Sequence, residues 1–89
     1  MTKKQIVETY KGKRFDPNDR FSTITAIAFH KGVAVLLSGK YDTYGGGYTV
    51  EAAIDMATGE NVIAGHWRPA DSKEDAIDVY LEILDACKK

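Results

Sequence analysis

Cysteine is nearly absent from this chain: Cys87 stands alone, so no internal disulfide can form. A secreted domain this small ordinarily carries several cysteines as staples, so a reducing cytoplasm is the expected setting. Long apolar runs are missing too. Nothing approaches the roughly 20 residues of a membrane span, and the basic start Met1-Thr2-Lys3-Lys4-Gln5 leads into no signal-like apolar stretch. A soluble protein with no membrane partner is expected. Histidine is limited to His30 and His66, with no Cys/His cluster at ligand spacing, so neither a metal nor another cofactor is anticipated. An excess of charge of one sign is also lacking. The net charge of −1 argues against a dedicated nucleic-acid binder.

What is present suits one folded domain. Eighty-nine residues leave room for a single core, over 1–89. Hydrophobic content of 44% beside 28% charged residues is that of a globular chain, too apolar for a disordered one. There are no repeats, linkers or low-complexity tracts. The charges are unevenly placed. Residues 1–20 carry a net +3, from Lys3, Lys4, Lys11, Lys13, Arg14 and Arg20 against Glu8, Asp16 and Asp19, while residues 71–89 carry a net −3.

Thr2-Lys3-Lys4-Gln5 has capping-box spacing, and Ile6, Val7 and Tyr10 share a helical face, supporting a short N-terminal helix that Gly12 ends. Asp16-Pro17-Asn18-Asp19 is turn chemistry. Four strands are predicted: Thr23–His30; Val33–Gly39, running on to Tyr41; Tyr48–Met56; and Val62–Trp67, which Pro69 stops. In the third, Tyr48, Val50, Ala52, Ile54 and Met56 face one way and Thr49, Glu51, Ala53 and Asp55 the other. Short loops between successive strands predict an antiparallel meander ordered 1-2-3-4. Asp71-Ser72-Lys73-Glu74 then caps a C-terminal amphipathic helix. Its apolar stripe is Ala76, Ile77, Tyr80, Leu81, Leu84 and Cys87, widened by Val79 and Ile83. The expected fold is α+β, a four-stranded antiparallel meander with that helix on one face.

Strands one and two are apolar on both faces: Ile24, Ala26 and Ala28 are assigned to one side, Ile27 and Phe29 to the other, and Val33–Leu37 is apolar throughout. One helix covers one face of a sheet. The remaining face of strands one and two calls for the N-terminal segment, a second copy in a homodimer, or another partner.

Chemistry-bearing motifs are few. Ser22, Ser38 and Ser72 fall at strand ends and a cap, and Cys87 on a helix stripe, so neither histidine has an evident nucleophile to activate and no enzyme is expected. Two segments suit recognition instead. Tyr41, Tyr44 and Tyr48 flank Gly45-Gly46-Gly47, in a loop able to grip a flat ligand or a protein partner, or to serve only as a hairpin tip. Trp67 and Arg68 belong to the residue types richest in interface hot spots, though Trp67 could equally cap the core beneath the helix. The acidic helix positions Asp75, Asp78, Glu82 and Asp85 could mimic phosphates toward a basic partner.

The helix–sheet–helix order resembles a double-stranded RNA-binding domain. Where that family places a basic cluster, at the start of the closing helix, this chain has Asp71-Ser72-Lys73-Glu74-Asp75, which repels phosphate. In size and architecture the chain looks like the small α+β proteins that phages and mobile elements encode against host machinery, such as anti-CRISPR inhibitors. That resemblance implies a non-enzymatic, cytoplasmic protein-binding module acting by surface occlusion. The alternatives are a nucleotide-like small-molecule sponge or sensor holding its ligand between the tyrosine–glycine loop and Arg68, and weak nucleic-acid binding by the basic N-terminal segment with Tyr10, Phe15 and Phe21.

Overall fold

Thr2 sets the first helix. Its hydroxyl accepts the Gln5 N–H at 3.2 Å while the Gln5 side chain accepts the Thr2 N–H at 2.8 Å, the reciprocal arrangement the spacing predicted. The computed structural model describes residues 1–19, 21–39 and 47–88. In chain order these form α1 (Lys3–Tyr10), β1 (Ile24–His30), β2 (Val33–Gly39), β3 (Tyr48–Asp55), β4 (Arg68–Ala70) and α2 (Lys73–Cys87). The strands make one antiparallel sheet ordered β1-β2-β3-β4. The fold is the α+β meander expected.

The sheet has a helix on each face. On one side Ala26, Ala28, Val35, Leu37, Val50 and Ala53 pack with Ala76, Tyr80 and Ile83 of α2. On the other, Ile24, Ile27, Ala34, Leu36, Ala52 and Ile54 pack with Ile6 of α1, and Tyr10 and Phe15 seal the margin. The N-terminal segment thus covers the second face, which removes the apolar surface on which a second copy was considered. No helix among the described residues is long and apolar enough to cross a membrane.

Two bulges correct the facing assigned from simple alternation. Register slips between Ile24 and Ala26 in β1, and opposite Leu36–Leu37 in β3, leaving Thr25 and Glu51 as extra residues. A bulge shifts the period by one. Ile24 therefore joins Ile27 and Phe29 on the α1 side, while Val50 and Tyr48 separate from Ala52, Ile54 and Met56 and turn to the α2 side.

The fourth strand is also displaced. Asn61 bridges Ile54 and then the chain leaves the sheet, turning at Ile63–His66 with Gly65 at φ +81° before rejoining β3 at Arg68. The Asn61 side chain takes the Ala53 and Ile63 N–H groups in place of a continuing ladder, and Ile63 plugs the core. Pro69 lies inside β4, opposite Thr49, rather than ending the strand; an edge strand can do without that N–H.

Ser72 caps α2 by accepting the Asp75 N–H at 3.0 Å. The buried line is Ala76, Tyr80 and Ile83, with Ile77, Val79 and Leu84 beside it. Leu81 and Cys87, assigned above to the apolar stripe, are exposed: Leu81 is rotated off that line, and Cys87 ends the helix.

Candidate functional site

The excursion between Asn61 and β4 delivers Trp67 to the sheet edge 70% exposed, so it does not cap the core beneath α2. Arg68 follows it. Opposite Val50 and two residues before the buried Ala70, Arg68 projects on the α2 side and reaches Glu82 at 3.7 Å. Both side chains are largely solvated, so this pair contributes little to stability and either member can change partners.

Along α2, Asp78, Leu81, Glu82 and Asp85 repeat at i, i+3, i+4 and i+7 and form one exposed ridge. Asp75 is set apart from it. Half-buried, it turns its carboxylate back to the Asp71 N–H at 3.0 Å and serves the helix start. Arg68 and three of the four named acids thus lie on β4 and α2, joined through the Arg68–Glu82 contact, and Trp67 immediately precedes β4.

The tyrosine–glycine segment divides differently. Tyr41 and Tyr44 lie outside the described residues. Tyr48 is half-buried against the α2-side core and pairs with both Gly39 and Ala70. Gly47 has a packing reason: a Cβ there would stand 3.0 Å from the Ala70 carbonyl oxygen, so glycine lets β4 close on β3.

Sequence reading placed Leu81 on the apolar stripe and Glu51 only on one face of the third strand, giving neither a site role. Leu81 was legible from its i+3 spacing to Asp78; Glu51 was not, because a bulge has no single-strand signature. Glu51 is half-buried and accepts the Ser38 hydroxyl at 2.6 Å. Burial pushes its carboxyl above the usual range, the Ser38 hydrogen bond pulls it back, and the charges of Asp19 and Asp16 push it up again. Those acids belong to the loop that buried Ser22 gathers, its hydroxyl within 2.8 Å of the Asp19 carbonyl and 3.0 Å of the Asp16 carbonyl. His30 stacks edge-on to Tyr80 at 6.5 Å, and His66 is exposed on the turn. Among the described residues no three His, Cys, Asp or Glu side chains are arranged to hold a metal.

Comparison with family models, curated proteins and solved structures finds no match to this chain. Its class is given by the architecture alone: a small α+β domain with an open antiparallel sheet between two helices.

Proposed function

We propose that this chain is a small non-enzymatic binding module that occludes a basic surface on another protein through Trp67, Arg68 and the Asp78–Leu81–Glu82–Asp85 ridge. The observation that carries this reading is the 70% exposure of Trp67, the largest side chain in the sequence and a residue type mostly buried in monomers. Next to it in the chain is Arg68, in a weak, exchangeable pair with Glu82, whose helix ridge carries an apolar Leu81 and acids that repel one another. Like charges at i, i+4 cost a helix a few tenths of a kcal/mol each. A basic partner would turn that repulsion into attraction and speed encounter. A cytoplasmic inhibitor of the phage or mobile-element kind fits the size and the single exposed thiol.

The test is capture from the native host extract with wild type, Trp67→Ala, the charge reversal Glu82→Lys, and Phe21→Ala as a control at the opposite-charge end. One retained protein, lost with the first two variants and kept by the third, supports the surface. Loss with Phe21→Ala and retention by Trp67→Ala overturns it.

A second reading is favoured by one feature, the basic N-terminal region. Lys11, Lys13 and Arg14 are exposed there with Phe21, itself 62% exposed, and this segment is tied to the start of β1 through Gly12, Lys13 and Arg14. Binding of single-stranded nucleic acid there would weaken steeply with salt. Absence of retardation at low salt removes that reading.

A further inference from the structure

The two edges of the sheet are treated differently. The β4 edge is three residues long and carries Pro69, both of which blunt further strand pairing. The β1 edge is seven residues long, with neither proline nor lysine inside it. Its start is occupied: the Ile24 N–H donates to the Lys13 carbonyl at 2.9 Å, and the Gly12 N–H donates to the Ile24 carbonyl at 2.8 Å.

Beyond that point hairpin geometry decides which groups face out. Lys31 and Gly32 form the two-residue turn, with φ of +45° and +76°, as in a type I′ hairpin. The flanking pair His30–Val33 is then hydrogen-bonded, and by alternation so are Ala28–Val35 and Ala26–Leu37. The N–H and C=O groups of Ile27 and Phe29 point away from β2, and no described residue takes them.

We infer that this edge pairs with the same edge of a second copy, antiparallel and centred on Ala28. The register is self-complementary. Ile27 lies opposite Phe29 of the second copy, and each pair exchanges both hydrogen bonds, so every outward group on both chains is satisfied. The two-fold axis falls at Ala28, a position not hydrogen-bonded across the new junction. Facing Cα atoms there approach to about 4.5 Å, where a small side chain fits best. On the α1 side Ile27 meets Phe29, a β-branched and aromatic cross-strand pair. The paired stretch runs from Ala26 to His30 on each chain and stops short of Ile24, whose outward groups Gly12 and Lys13 already hold. With the β4 edge blunted, association closes at a dimer instead of growing. The result is one continuous eight-stranded sheet with a Trp67 surface at each end. This pairing uses neither face of the sheet and does not rest on the proposed partner surface.

Sedimentation equilibrium of the full chain, from about 1 µM to about 1 mM, reads the outcome. The mass should rise from 9.8 kDa toward twice that value. Hydrogen exchange of the unaltered protein supplies a residue-level readout: Ile27 and Phe29 amides should slow by about tenfold or more as the dimer forms. Phe29→Pro, which removes an N–H the monomer does not use, should hold the chain monomeric if circular dichroism shows it folded. A mass of 9.8 kDa throughout overturns the inference. So does a dimer whose Ile27 and Phe29 amides exchange freely, or one that a folded Phe29→Pro variant still forms.

Discussion

Trp67 and Glu51 are opposite cases at the scale of single residues. Trp67 is exposed and makes little of the core, so Trp67→Ala should leave the thermal midpoint within a degree or two, while abolishing capture of the partner. A fall in midpoint that tracks the loss of capture would make the indole structural. Glu51 is drawn into the sheet by a bulge and held above its ordinary value of 4.5. An acid shifted upward is costly when ionised. The cost is absent below the ordinary value and grows as pH rises through the folded value, remaining above it. Glu51→Gln keeps an acceptor for the Ser38 hydroxyl and removes the charge. It should therefore melt higher than wild type at about pH 7, with the gap closing toward about pH 4. Parallel thermal melts across that range check the sign.

Elements succeed or fail here on their ends and covers. Ser72 satisfies an α2 N–H, so Ser72→Ala should cost about 1 kcal/mol, lowering the midpoint of a domain this size by about 4–8 °C. Retention of the wild-type midpoint would show that Asp71 or Asp75 takes over the cap. The cover supplied by α1 depends on Ile6, the helix's fully buried side chain. Ile6→Ala should cost about 2–5 kcal/mol, measured by urea unfolding. It should also expose Ile27 and Leu36 to a hydrophobic dye. A small cost with no dye binding would mean that α1 is an ornament on the sheet. Both helices were readable because their capping residues and spacing are local. The fourth strand was misplaced because Val62–Trp67 has strand composition, while the Asn61 side chain and the Gly65 turn divert the chain before the ladder resumes.

The whole molecule sets charge and openness against each other. The α1 helix, which carries Lys3 and Lys4, and the acidic C-terminal helix lie on opposite faces of the sheet, while Lys13 and Arg14 lie along the β1 edge. A basic partner is therefore steered toward α2, and dimerisation through β1 leaves that face free. Salt should weaken the partner complex more than the dimer, whose junction is backbone hydrogen bonds and apolar contact; parallel titrations of the two equilibria with salt read this directly.

Local chemistry in the sequence determined the α+β class, the helix caps, three of the strands, the Lys31–Gly32 turn and the polarity of charge along the chain. Each of these depends on neighbours a few residues away. Tertiary structure alone decided the facing of β1 and β3, the place of β4, the exposure of Trp67 and Leu81, and the half-burial of Glu51. A bulge at Thr25 or Glu51 changes every side chain beyond it from one face to the other, and only the partner strand shows where the extra residue lies.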